Sequence, residues 1–220
     1  YIHGTDGKDG SSVNKPFNFT PNKDIKKLKI AYAKNYFDKI KDTTRNEFKV
    51  LEEFRKLGVQ LIPVNVPDSG VYNFNIMDVV IGVECAAQFD EMTRLNIDDA
   101  LTRQTKNDWP NQFRTSRFIP AIEYINAQRH RTTLMQKVNE VISQYDAIIC
   151  PSRGGGNQSA ITNLTGHPVV CVPTGLDAKW QLPTGISFVG KLFDEGTILN
   201  IAHQYQKATG WDEMHPSMFK

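Results

Sequence analysis

Residues 28–66 constrain the architecture more than any other part of the chain. LKIAYA at 28–33 alternates apolar and polar residues with a period of two, the mark of a half-buried strand. The pattern then changes to helical spacing over 42–58, opening on Asp42 as the expected cap and closing at Gly58. Phe48, Leu51, Phe54 and Leu57 fall at three-residue steps along one face of that helix. VQLIPVNV at 59–66 returns to an extended pattern. Strand, helix and strand joined this closely form a βαβ crossover, which makes the two strands parallel and calls for helices packed on a sheet.

The remaining segments fit the same plan. Residues 1–27 are rich in Gly, Asp, Ser, Asn, Pro and Lys with no apolar period, so they read as a connector or surface loop. Residues 76–95 look helical, and Glu84, Cys85, Ala86, Ala87 and Phe89 form a small-residue stretch suited to close packing. A polar segment with weak periodicity fills 96–118. Pro120 then suits the first turn of a long helix over 121–145, with Ile122, Ile125, Leu134, Val138, Val141 and Ile142 as its apolar face. Arg129, His130 and Arg131 on that helix read as a solvated or ion-paired face. Strands are expected at 146–150, 168–174 and 185–191, and a final helix at 194–210. No internal repeat is present. The expectation is one α/β body, a mixed β-sheet flanked by helices.

Composition excludes several classes of function. Lys and Arg number 26 against 24 Asp and Glu, a net charge of +2, and the charges are mixed along the chain. Nothing resembles the basic stripe of a nucleic-acid binder. The longest apolar runs, VVIGV at 79–83 and AIIC at 147–150, are strand-sized, far from the roughly 20 residues of a membrane helix. A hydrophobic fraction of 40% is enough to build a core, so the chain is not disordered as a whole. Cys85, Cys150 and Cys171 are odd in number and sit in apolar surroundings, which reads as three small buried hydrophobes. The five histidines lack metal-ligand spacing, so neither a metal nor a cofactor is expected.

Three local motifs point away from familiar chemistry. Gly154, Gly155 and Gly156 follow a strand, yet the G-x-G-x-x-G spacing fails at Ser159. Between Gly156 and Gly166 there is room for about two helical turns. GISFVGK at 185–191 fits the phosphate-loop spacing, but Leu192 stands where a hydroxyl must hold magnesium, and the intervening residues are strand formers. No serine lies in G-x-S-x-G, and Ser152 and Ser159 have no base at a suggestive spacing.

Taken together and in order, several segments resemble the amidase signature family. GTDGKDGSSVNKPF at 4–17 is similar to the G-x-D-x-x-D-x-S stretch that follows the catalytic region in those enzymes, and ECAAQFDEMTR at 84–94 to their Glu-Ala-rich helix. IPAIEYINAQRHRTTLM at 119–135 resembles the family's conserved-pattern helix, and Asp146–Pro151 the strand that follows it. The strongest matches are NLTGHPVVCVPTG at 163–175 and LPTGISFVGKLFDE at 182–195, and WDEMHP at 211–216 is similar to the family's ending.

The resemblance implies hydrolysis of a carboxamide by a Ser–cis-Ser–Lys triad. The lysine must be neutral to act as a base, and a Gly-Ser-rich stretch supplies backbone donors for the oxyanion. All those parts lie in the family's N-terminal half, so no catalytic residue is expected in this chain. The chain then reads as the C-terminal part of a single amidase-signature domain, opening at Tyr1 within a longer protein. Its compartment stays open, with the cytoplasm as the default. Its expected partners are a small-molecule amide and the N-terminal half of the same protein. A half on its own should self-associate, because a split sheet exposes an apolar face and an unpaired edge.

In the family the loop after the 146–151 strand lines the substrate cleft. Here that implies Ser152, Arg153, Gly154, Gly155, Gly156 and Asn157 as substrate-binding residues, with Arg153 attracting a carboxylate or polar head. The alternative is a close-packed backbone crossing beside an exposed arginine. Asn163 and Gly166 are expected to shape the turn into the next strand. The glutamine-using amidotransferase members of the family carry an Asp shortly before the Asn-x-x-Gly motif to hold the glutamine ammonium. No acidic residue lies between Pro151 and Asn163. That difference favours a stand-alone amidase over a glutamyl-tRNA(Gln) amidotransferase component, with a non-catalytic α/β binding module as the competing class.

Overall fold

A computed structural model describes residues 4–68 and 74–219; Tyr1 and His3, noted in the sequence, lie outside them. The chain divides into two compact units, one of residues 1–67 and 138–220 and one of residues 68–137.

The first unit is built on a five-stranded mixed sheet in the order β2-β1-β3-β5-β4. β1 (Ile30–Ala33) pairs parallel with β2 (Ile62–Val64) on one side and with β3 (Ala147–Pro151) on the other. β5 (Pro183–Val189) runs antiparallel to β3 and to β4 (Val169–Leu176). The expected βαβ crossover is present, with α2 (Asn46–Lys56) as its helix. Asp42 does not cap that helix. Its carboxylate accepts from the Thr44 N–H at 3.0 Å and hydroxyl at 2.6 Å, a local turn that postpones the helix to Asn46. Gly58, at φ +80, closes the helix as expected, because a left-handed turn there suits a residue without Cβ.

Strand periodicity sorts side chains onto the two faces of the sheet. Ile149, Ile186 and Phe188 point into the main core, where α2 supplies Val50, Leu51 and Phe54, and α8 (Glu195–Thr209) supplies Ile198, Ile201 and Tyr205. Ile148, Cys150 and Val189 point the other way, toward Ile142 and toward Ile161 of α7 (Gln158–Thr165). Pro173, which has no N–H to give, lies on β4, whose sole strand partner among the described residues is β5. Of the three cysteines, Cys150 is buried, Cys85 half-buried and Cys171 exposed. The reading of all three as buried hydrophobes is therefore corrected: Cys171 stands on an edge strand, where an apolar run does not guarantee cover on both faces, and Cys85 on a helix that buries only part of its surface.

Asp146 ties three strands at one edge of the sheet, where β1 and β3 begin and β5 ends. Its carboxylate accepts from the Lys29 N–H at 2.9 Å and from the Lys191 ammonium at 2.7 Å. Burial alone would push its pKa up, but those donors outweigh it and hold the carboxyl below the ordinary carboxylate value.

His167 follows Gly166, the left-handed residue that ends α7. Its ring is buried, with Nδ1 against the Thr165 hydroxyl at 2.8 Å and Nε2 lacking a hydrogen-bond partner among the described residues. Burial lowers its pKa, so the ring is neutral at pH 7. The unfolded chain, with a histidine pKa of about 6.5, then binds more protons than the folded one at mildly acid pH. Stability is expected to be full above that pKa and to fall as the pH drops through and below it. Urea midpoints at pH 7 and pH 5 check this: the decrease should shrink in His167→Gln, and equal midpoints in the unaltered protein would refute it.

The second unit is helical, with α3 (Ile76–Gln88), α4 (Asp90–Arg94), α5 (Trp109–Ser116) and the greater part of α6 (Ala121–Ile142). Helix α6 leaves this unit at Lys137 and ends in the first. Gly82 permits a close helix approach, since a Cβ there would stand 2.7 Å from the Ser116 hydroxyl. Phe113 packs against Phe89 and Trp109 at ring distances of 5.0 and 5.6 Å. Leu134, Val138 and Ile142 of α6 are buried as expected, whereas Ile122 and Ile125 are exposed, so the apolar face is buried only along its later turns.

Candidate functional site

The groove that holds the expected loop is set by the direction of the strands. From β1 the chain crosses to β2 on one side, while β3 lies on the other, so the strand order reverses between β1 and β3. In open α/β sheets, ligands bind outside the carboxyl ends of the strands at such a reversal. Two segments leave the sheet here: residues 34–45 after β1, and Ser152–Asn157 between β3 and α7.

The six predicted residues have different surroundings. Gly155 and Gly156 lie against Tyr36, a buried residue of the short helix α1 (Lys34–Phe37) that follows β1. A Cβ on Gly155 would stand 3.0 Å from the Tyr36 carbonyl oxygen, and one on Gly156 would be 2.2 Å from the Tyr36 ring. Here the glycines let two backbone segments cross, the alternative named above. Ser152 turns toward the sheet, its hydroxyl 2.9 Å from that of Ser187 and 3.3 Å from the Cys171 sulfur. Asn157 immediately precedes α7, and its carbonyl accepts from the Ile161 N–H at 2.9 Å. Arg153 and Gly154 line an open groove of about 530 Å³.

The walls of the groove come from the start of α2 and from the β4–β5 hairpin. Asn46 joins the two, donating to the Leu176 carbonyl at 3.0 Å and to the Thr184 hydroxyl at 2.9 Å. Beneath the loop, Arg45 is paired with Glu47, whose carboxylate is only 3% exposed. The Arg45 Nη2 also donates to the Arg153 carbonyl at 3.0 Å. At the hairpin tip, Asp177 accepts from the N–H groups of Lys179 and Trp180 at 2.9 and 2.7 Å. The Lys179 ammonium lies 4.7 Å from the centre of the Trp180 ring. Most charges in the groove are thus already engaged, and the Arg153 guanidinium has no side-chain or backbone partner among the described residues.

Sequence reasoning missed Arg45, Asn46, Glu47, Asp177 and Trp180. The strand-end rule was a usable signal for the first three, because a segment that follows a parallel strand opens onto the same rim. The hairpin pair had no signal beyond a polar turn. Among the described residues no cluster of three or more His, Cys, Asp or Glu side chains forms a metal site. No helix among them is long and apolar enough to cross a membrane.

A mixed sheet with an open groove at its carboxyl rim is an α/β architecture, and comparison with known proteins gives its lineage. The Amidase family model matches residues 1–155, and the chain belongs to the amidase signature family. The A-subunit of the glutamyl-tRNA(Gln) amidotransferase from Thioalkalivibrio sulfidiphilus is 24% identical across 100% of this chain and 53% of its own length. The protein of the same name from Halalkalibacterium halodurans is 28% identical over 89% of this chain and 48% of its own. The chain thus spans about half the length of the curated relatives it matches. A bacterial aryl acylamidase of the family superposes with a TM-score of 0.76 at 19% identity, covering 96% of this chain and 50% of that one. The peptide amidase of Stenotrophomonas maltophilia gives 0.68 at 16% identity, over 87% of this chain and 44% of that enzyme. At these identities the likeness establishes the shared fold.

Proposed function

We propose that this chain is the C-terminal part of a single amidase-signature domain and forms one wall of the substrate site of an amidase. In this reading the serine of an upstream Ser–cis-Ser–Lys triad attacks the carboxamide and expels ammonia or an amine, and water then cleaves the acyl-serine to release the carboxylate. The observation that carries the reading is the groove at the carboxyl rim of β1 and β3, opened in a family whose members act on amides, with a guanidinium in it that has no partner among the described residues. Arg153 and Gly154 take the substrate role there. Ser152 takes no nucleophilic role in this reading, since its neighbours are a hydroxyl and a thiol and no base lies beside it among the described residues.

The 220-residue chain alone is therefore expected to turn over no amide. Incubation with acetanilide, read as aniline released, tests this. Turnover that disappears in Ser152→Ala would overturn the assignment of chemistry to the upstream half.

A second reading has its own support: the glutamyl-tRNA(Gln) amidotransferase names of the curated relatives. It would place the chain in a complex that acts on aminoacyl-tRNA. Against it stands the absence of any acidic residue between Pro151 and Asn163, where those enzymes need a carboxylate for the glutamine ammonium. We keep the stand-alone amidase as the leading function. Glutamine-dependent ammonia release by the intact protein would reverse that order.

A further inference from the structure

We propose that Arg45 is a positioning residue, anchored by Glu47, which holds the Ser152–Asn157 loop so that Arg153 receives the carboxylate of an amide substrate. The proposal rests on the amidase reading above and names the substrate class of the same groove.

Glu47 is the starting point. A carboxylate buried this deeply is costly unless it is paired and hydrogen-bonded. Arg45 meets it with two nitrogens, Nε at 3.2 Å from Oε2 and Nη2 against Oε1. A buried ion pair of this kind is seldom a net source of stability, so its value is sought in the geometry it fixes. That geometry is specific. The same Nη2 donates to the Arg153 carbonyl at 3.0 Å, and Nη1 lies 3.4 Å from where a Gly154 Cβ would stand. Gly154 is held at φ +79, a conformation natural to glycine. One planar fork thus grips a buried acid with one edge and the loop backbone with the other. A lysine, whose donors converge on one nitrogen, does not reproduce this two-edged planar contact.

The substrate class follows from which charges remain free. Glu47 neutralises Arg45; Lys49 keeps its charge but its ammonium is bonded to the Asn46 side-chain carbonyl oxygen at 3.0 Å, and the Asp42 and Asp177 carboxylates accept from Thr44 and from the N–H groups of Lys179 and Trp180. Arg153 is left with its guanidinium open to the groove, and the geometry matched to that group is a carboxylate, bound through two parallel N–H donors.

The test uses the intact protein and two amides of nearly equal shape, 4-acetamidobenzoate and its uncharged counterpart 4-acetamidotoluene. Arg45→Lys and Glu47→Gln should each reduce the preference for the carboxylate substrate on the order of tenfold, through KM rather than kcat, by loosening a charge-assisted contact. Arg153→Met should remove that preference, and adding Arg45→Lys to it should change the ratio no further, because Arg45 acts through Arg153. An equal loss on both substrates would overturn the proposal, since that is what general damage to the fold produces. If the unaltered protein turns over neither amide, the amidase reading fails by itself, and hydrogen exchange decides the positioning claim. Faster exchange of the Gly154 and Gly155 amides in Arg45→Lys, with β1 and β3 still protected, supports it; unchanged exchange there overturns it.

Discussion

Replacing Gly156 with alanine is expected to destabilise the protein by about 3 kcal/mol, the upper part of the range for overpacking a filled interior. The added Cβ would stand 2.2, 2.3 and 2.5 Å from three carbons of the Tyr36 ring. None of those separations is tolerable, and the ring cannot withdraw, because Tyr36 is fully buried between the end of β1 and the loop after β3. The strain must therefore move backbone, at the rim where the groove opens. Two controls isolate the cause. Gly10→Ala, where nothing lies within 4 Å of the new atom, should leave the urea midpoint where it is. Tyr36→Leu should cost less in the Gly156→Ala background than in the native one, as expected for residues in contact. A Gly156→Ala protein with the native midpoint would show that the loop does not cross the helix this closely.

Phe54→Ala should cost more, about 3–5 kcal/mol, as for other buried phenylalanines truncated in a core. Phe54 lies at the centre of three aromatic rings. It stacks on Tyr205 at 5.7 Å with an interplanar angle of 2°, and meets Phe188 edge-on at 5.6 Å. These contacts join α2, α8 and β5 across the main core. Such a loss is a large share of the roughly 5–15 kcal/mol that holds a domain folded. The variant has a second signature. Burial, with a smaller push from the Glu53 carboxylate, raises the Tyr205 phenol to about 12. Opening the core to water should return that titration toward the ordinary tyrosine value of about 10, visible in the tyrosinate absorbance on raising the pH. Thermal or urea unfolding gives the stability change, and a loss below about 1 kcal/mol would mean that the cluster can close over the gap.

The sequence was most legible where local pattern and tertiary burial agree. The alternation at 28–33 and the three-residue steps through Phe48, Leu51 and Phe54 describe faces that the core does use. Legibility failed where a local competitor or a distant neighbour decided the outcome. Asp42 looks like a helix cap, but Thr44 offers it a closer set of donors. Helix α5 was hidden because 96–118 is polar, although Pro110 sits in its first turn, where proline is tolerated. Ile122 and Ile125 follow the helical period and yet are exposed, since period alone does not say how far along a helix its cover extends. The site shows the same division. A glycine-rich loop after a strand was enough to point to Ser152–Asn157, of which Arg153 and Gly154 line the groove. It gave no hint that Gly155 and Gly156 serve a tyrosine, or that Arg45 grips the loop from 108 positions away.

The strand order also bears on how the chain reaches its native state. β3, β5 and β4 lie within residues 147–189 and pair antiparallel, so they can assemble over short loops soon after collapse. β1 must instead find β3 in parallel register across a separation of 117 residues, the span between Lys29 and Asp146. Contacts of that range incur their loop-closure entropy before they return any stability, which slows folding toward the millisecond-to-second regime. The groove is assembled from both parts, with the segment before and at the start of α2 on one side and the β3 loop with the β4–β5 hairpin on the other. It is therefore completed in the last and slowest step, and partly folded chains will hold the core of the C-terminal strands without a complete groove.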